Sequence, residues 1–268
     1  MKRVVVALAV LVVFLPSPSG AAPASGSHLV VIVMENHEYG GIIGNGCCPY
    51  LNQLAATGRL YTNYHAIAHP SLPNYLAFTV GSPCAKRGTD GVVPLCKLTG
   101  LLGQLQGRGI SWEIWAESMP APCSTSGTSL YAVRHNPGTI YFGSVSHDCW
   151  GRDTALPSSF TTLPAIAFVI PNLCNDMHSC PASTGDSWLQ DEAPKFLAFP
   201  GTRIVIVFDE GTTASGGGGH IPVVEIGAGV PQSHYTAWLS HYGLLAGIEQ
   251  RFGLQKIRNA AGARVMPL

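Results

Sequence analysis

The chain has 268 residues, a formal net charge of zero, and only 11% charged residues. It therefore carries no basic field of the kind that gathers nucleic acid, and nucleic acid is excluded as an expected partner. Its 8 Cys are many for a reducing compartment and natural for an exported protein.

The first element in chain order reads as an export signal. Lys2 and Arg3 give a basic start, residues 4–15 are uninterruptedly apolar, and Ala22-Pro23-Ala24 offers small residues for a signal peptidase. Cleavage is expected after Ala24. A membrane anchor would need about 20 apolar residues, whereas this run stops at Pro16, Pro18 and Gly20. No later segment is apolar enough to span a bilayer. Residues 1–24 are thus the expected signal peptide, and residues 25–268 one secreted α/β domain with no transmembrane segment.

Residues 28–34 have no polar alternation and many β-branched side chains, which predicts a strand buried on both faces. Glu35-Asn36-His37 follows it. Similar runs occupy 165–170, followed by Pro171-Asn172 and Asn175-Asp176-Met177-His178, and 203–208, followed by Asp209-Glu210-Gly211; a fourth, 221–226, follows His220. Helical spacing of apolar residues recurs at 98–105, 188–199 and 241–252. Strands alternating with helices predict a three-layer α/β/α sandwich with a mostly parallel central sheet. Ligands in such folds sit beyond the carboxyl ends of the strands, where three of these runs deliver polar residues. Residues 118–164 read as irregular, disulfide-tied surface structure forming one wall of the pocket, and 215–219 as a flexible glycine hinge.

The spacing of the cysteines argues for disulfides, since no C-x-x-C pair exists. Cys84 with Cys96 and Cys174 with Cys180 are the first pairings expected.

Glu35-Asn36 and Asp209-Glu210 each close a buried run, where unpaired carboxylates would cost several kcal/mol. A divalent cation meets that cost: Mg, Ca or Mn for oxygen ligands, Zn or Fe where imidazoles join. One ion is expected, with room for a second. Ser71, in His69-Pro70-Ser71-Leu72-Pro73-Asn74, stands just before a predicted helix. A serine there serves as an N-cap or, beside a metal, as a nucleophile. His69, His178 and His220 lie beside the serine or a strand end, and Asp176 shares a loop with His178. His28, His37, His65, His135, His147, His234 and His241 have weaker claims or none. Gly185-Asp186-Ser187-Trp188 comes too late in the chain for a lipase serine block, so Asp186 or Ser187 reads as a helix cap.

Together these motifs, from Val33-Met34-Glu35-Asn36-His37 through Phe208-Asp209-Glu210-Gly211 to His241-Tyr242, resemble the bacterial phosphoesterase family of secreted acid phosphatases and phospholipases C, within the alkaline phosphatase superfamily. The chain is most similar to short mycobacterial-type acid phosphatases, some of which act on phosphatidylinositol 3-phosphate. The resemblance implies that Glu35, Asn36, Asp209 and Glu210 hold metal and that Ser71 attacks phosphorus to give a phosphoserine. It also implies that Asn74 steadies a phosphoryl oxygen, and that Asp176, His178 and His220 lie where the superfamily keeps a second metal. His178 or His69 is the expected proton carrier. The expected substrate is a phosphorylated small molecule or lipid head group, cleaved as a monoester. The alternatives are phospholipase C-type diester cleavage and, from another class, a secreted protein that binds phosphate ligands without catalysis.

Overall fold

Seven consecutive residues, His28–Met34, form β1, and six of them are buried. The computed structural model describes residues 26–83, 90, 100–138, 149, 151–213 and 215–268. The expected signal peptide and the Cys84 and Cys96 pairing lie outside the described residues.

The strands after β1 are β2 Arg59–Tyr61, β3 Tyr64–His65, β4 Trp112–Ala116, β5 Asp153–Ala155, β6 Ile166–Ile170, β7 Thr202–Phe208, β8 Val223–Gly227, β9 Ser233–Tyr235 and β10 Leu239–Ser240. They make an 8-stranded sheet ordered β5-β4-β6-β1-β7-β8-β2-β9, with β3 and β10 paired apart. β1 runs parallel to both β6 and β7, and only β8 opposes its neighbours. The mixed, mostly parallel sheet agrees with the expected fold class. Every residue of β6 is buried, as an unbroken apolar run in a sheet covered on both faces should be.

The helices are α1 Tyr39–Ile42, α2 Pro49–Thr57, α3 Leu72–Val80, α4 Leu101–Gly107, α5 Ala182–Leu197, α6 His241–Arg251 and α7 Asn259–Gly262. They pack in two groups, α2 with α5, and α3 with α4 and α6. Asp186 is a cap of a different kind from the one expected. It lies inside α5, a turn beyond that helix's start, and accepts the N–H groups of Tyr50 and Leu51 at 3.0 and 2.8 Å. It therefore caps α2 from a neighbouring helix, and a carboxylate there also meets the positive end of the helix dipole.

Among the described residues two disulfides are formed, Cys123–Cys149 and Cys174–Cys180. The second closes the loop that carries Asp176 and His178, in line with its expected pairing. Cys47 and Cys48 carry free thiols, unlike the general expectation of disulfides. Adjacent residues across a trans peptide have Cα atoms about 3.8 Å apart, closer than a disulfide ordinarily spans.

The glycine run is packed rather than hinge-like. Gly218 adopts φ +158°, and a Cβ there would strike the carbonyl of Ala68. Gly219 accepts the Ala66 N–H at 3.0 Å, and Gly218 accepts that of Gly211 at 2.6 Å. The run thus braces the loop leading to Ser71 against the loop leaving Asp209-Glu210.

On α6, Glu249 is fully buried, with Oε1 accepting the Ile257 N–H at 3.2 Å and Oε2 without a hydrogen bond. Burial raises its pKa to about 7. An acid raised in the folded state contributes stability that is complete below its unfolded value and lost as pH rises through the folded one. Glu249→Gln is therefore expected to leave the melting temperature unchanged near pH 4.5 and to raise it by about 2–6 °C at pH 8. Thermal melts of both proteins across that range check it.

Candidate active site

β1 and β7 pair in register from His28↔Thr202 to Met34↔Phe208. Glu35 and Asp209 are therefore the first residues past the paired strands and emerge side by side. Asn36 takes φ 50°, a left-handed conformation that asparagine tolerates better than most residues. Its N–H donates to Asp209 Oδ1 at 3.3 Å, and the Glu210 N–H donates to the same oxygen at 2.6 Å. The β6 edge supplies the third carboxylate. Glu117, just past β4, takes the Asn172 N–H and the Asn175 side-chain amide, folding that loop so that the Asp176 carbonyl accepts the Glu35 N–H at 2.8 Å.

Ser71 precedes α3 with helical dihedrals and makes no side-chain capping bond. Its Oγ lies 3.1 Å from Glu35 Oε2 and 3.1 Å from Glu210 Oε1. The expected convergence of Ser71 with both acidic pairs is thus the geometry found. Tyr75, one helical turn on, donates its hydroxyl to Glu35 Oε1. His69 Nδ1 pairs with Glu210 Oε2 at 2.8 Å, which makes Glu210 the link between His69 and the serine.

The remaining expected residues lie around this centre in different ways. Asp176 is buried beside it, 3.6 Å from His135 Nδ1. His178 is one step further out: its Nε2 faces Arg134 at 3.2 Å and its Nδ1 faces Ser179 Oγ at 3.0 Å. Asn74 spends its amide on its own loop, accepting from Ile67 and Ala68 N–H and donating to the Ala68 carbonyl. His220 stacks on Tyr39 and on His65, with Nε2 3.1 Å from the Thr62 carbonyl. Asn74 meets Ser71 only through its backbone, whose N–H donates to the Ser71 carbonyl at 2.9 Å, and the Ser71 hydroxyl bonds to neither the Asn74 amide nor the His220 ring.

Three residues given no role in the sequence expectations enter the site. His135 is fully buried, 3.4 Å from Glu35 Oε1, and forms with Glu35 and Asp176 a group whose donor atoms lie within 4.8 Å of one another. His241 holds the Asp209 carbonyl through Nε2 at 2.6 Å. Tyr75 could have been found from its position four residues after Ser71, on the same helix face. His241 lies in one of the family-like motifs, without a role attached, and His135 gives no local signal.

The electrostatics are one-sided. Burial raises the pKa of Glu35, Asp209, Asp176 and Glu210, and the Asp209 charge further raises Glu35, Asp176 and Glu210. Burial keeps His135 and His241 neutral, the latter lowered to about 4. Asn36 Oδ1, Asp209 Oδ2 and Asp176 Oδ2 are buried without a hydrogen bond. A serine has one proton to give, yet its oxygen touches two carboxylates. Oxygens thus outnumber hydrogens, and the donor set of Glu35, Asn36, Asp209 and Glu210 fits a hard divalent cation. It would also repel an anionic ester unless a cation were present.

The fold, an α/β sheet with a serine among carboxylates at its carboxyl edge, resembles that of alkaline phosphatase superfamily proteins. The fold matches a protein of the alkaline phosphatase superfamily from Vibrio parahaemolyticus with a TM-score of 0.63, at 14% identity, over 91% of this chain and 71% of that one. Residues 45–255 match the model of the Phosphoesterase family. Over 282 residues the chain is 34% identical to a phosphatidylinositol-3-phosphatase of Mycobacterium tuberculosis, covering 98% of this chain and 93% of the relative. It is 27% identical to a phosphate-repressible acid phosphatase of Penicillium chrysogenum, of whose length it spans 58%. The chain belongs to the Phosphoesterase family and is a hydrolase of phosphoric esters.

Proposed function

We propose that the protein is a secreted, metal-dependent phosphomonoesterase that works through a phosphoserine on Ser71, with a phosphoinositide 3-phosphate as a fitting substrate. The observation that carries this reading is the Ser71 hydroxyl, buried and in contact with both Glu35 and Glu210. The lipid substrate is suggested by the mycobacterial relative, which is nearly the same length. The basic and apolar start of the chain and the disulfides support export, with residues 25–268 as one catalytic unit. No helix among the described residues is long and apolar enough to cross a membrane.

A divalent cation held by Glu35, Asn36, Asp209 and Glu210 would lower the pKa of the serine hydroxyl and offset the charge of the ester. Ser71 Oγ attacks phosphorus in line, its proton passes to a contacting carboxylate, and the Oγ–P bond forms as the bond to the leaving oxygen breaks. His69, paired with Glu210, is the group we assign to protonate the leaving oxygen and then to take the proton of the water that hydrolyses the phosphoserine. His178 is the second candidate for that role, at the rim. Tyr75 fixes Glu35, and His241 fixes the backbone of Asp209. Asn74 and His220 act at one remove, by shaping the loops that carry Ser71 and Glu210.

Acid quenching during turnover of an aryl phosphate tests the intermediate. A phosphorylated peptide containing Ser71 is the expected product. A quenched enzyme bearing phosphate at another residue, or none under conditions of rapid turnover, rejects the covalent route.

A further inference from the structure

Arg134 lies beside His135 in a short 3₁₀ turn, Val133–His135, but stays at the rim of the site with 30% of its side chain exposed. Its Nε pairs with Asp90 Oδ2 at 3.0 Å, and one terminal nitrogen lies 3.2 Å from His178 Nε2. The other oxygen of the same carboxylate, Asp90 Oδ1, accepts the Leu72 N–H at 3.0 Å. Leu72 comes directly after Ser71 and opens α3. One carboxylate therefore bridges a helix-start amide next to the nucleophile and the Arg134 guanidinium.

A phosphoryl group esterified to Ser71 has the same requirements as that carboxylate. It presents anionic oxygens at a similar spacing, beside the same amide, and favours an arginine fork. The Arg134 charge also acts on Glu210 and Asp176, lowering both against their burial, so the guanidinium stands within electrostatic reach of the acid cluster. A partly exposed ion pair gives a fold about 0–1 kcal/mol. Stability alone is a weak reason for this arrangement.

We propose that the Leu72 N–H and the Arg134 guanidinium form the seat for non-bridging phosphoryl oxygens, which Asp90 occupies when no substrate is bound. Arg134 thereby favours dianionic monoesters over monoanionic diesters. This rests on the Ser71-centred reading above and adds to it the groups that recognise the phosphoryl charge. His178, with its Nε2 3.2 Å from a terminal nitrogen of Arg134, orients the guanidinium.

Calorimetric titration of inorganic phosphate into the full chain, with divalent cation supplied, tests the seat. Arg134→Gln is expected to raise the phosphate Kd by about 10- to 100-fold, the loss of a charged hydrogen-bonding partner. Asp90→Asn is expected to move Kd the other way, because a competing carboxylate is removed. On aryl esters, Arg134→Gln should lower kcat/KM for the monoester more than for the diester, with Arg134→Lys between. Two variants that weaken phosphate binding in parallel would mark a mere strut and overturn the proposal, as would a phosphate Kd unchanged in Arg134→Gln. Thermal melts identify a variant that fails to fold, and Arg134→Lys then carries the comparison. Phosphate binding does not depend on Ser71 chemistry. The expected Kd pattern without turnover would sink the Ser71 reading and leave the seat, whereas normal turnover with flat Kd values would sink the seat alone.

Discussion

Replacing Ser71 by alanine is expected to lower kcat for an aryl phosphate by roughly 10⁴-fold or more, because the nucleophile of a two-step displacement has no substitute. The residue is 2% exposed, and alanine removes a single oxygen from a site already rich in them. The melting temperature should therefore hold or rise slightly. A serine acting only as a helix cap would give the opposite pair of results, a loss of about 1 kcal/mol in stability with the rate intact. Steady-state kinetics and a thermal melt on one preparation separate the two. Turnover retained by Ser71→Ala would end its assignment as nucleophile.

Chelation of divalent cations is expected to abolish turnover and to lower the melting temperature by about 10 °C at pH 8, the scale of a ligand held well above its Kd. The size of that loss should depend on pH. Without a cation, burial raises the pKa of Glu35, Asp176, Asp209 and Glu210, and the Asp209 charge raises the other three further. Each raised acid contributes stability that is complete below its unfolded value, near pH 4, and lost as pH climbs through its folded value. The chelated protein is thus weakest in alkali, and its gap from the cation-supplied protein widens from pH 5 to pH 8. Paired melts with chelator and with excess Mg, Ca, Mn or Zn at both pH values measure the gap. A gap that is constant or larger at pH 5 would show that no cation neutralises these carboxylates.

Much of this centre is legible in sequence because parallel strands convert chain order into position. Unbroken β-branched runs mark β1, β6 and β7, and the residues that come directly after such runs must lie at one edge. Glu35, Asp209 and Asp176 are legible in that way. His135 is not, because it sits in an irregular, Ser- and Pro-rich stretch without periodicity, and only tertiary packing brings it to Glu35. Arg134 escapes sequence reasoning for the same reason. Family likeness assigns Asn74 to a phosphoryl oxygen, yet its three bonds to residues 67 and 68 are all to backbone. Motif spacing reports that an asparagine is placed near a serine and is silent on which way its amide faces. His220 illustrates the same limit: proximity to Asp209-Glu210 in the chain places it near the site, and ring stacking turns it elsewhere.

The seven-residue pairing of β1 with β7 constrains how this chain can change. Glu35 and Asp209 meet because two stretches of equal length start level, like two rulers laid against a common stop. One residue added to either strand alone would send its terminal carboxylate to the opposite side of the sheet, away from Ser71. Matched insertions in both would carry the whole centre outward intact. These two strands therefore have to be counted together.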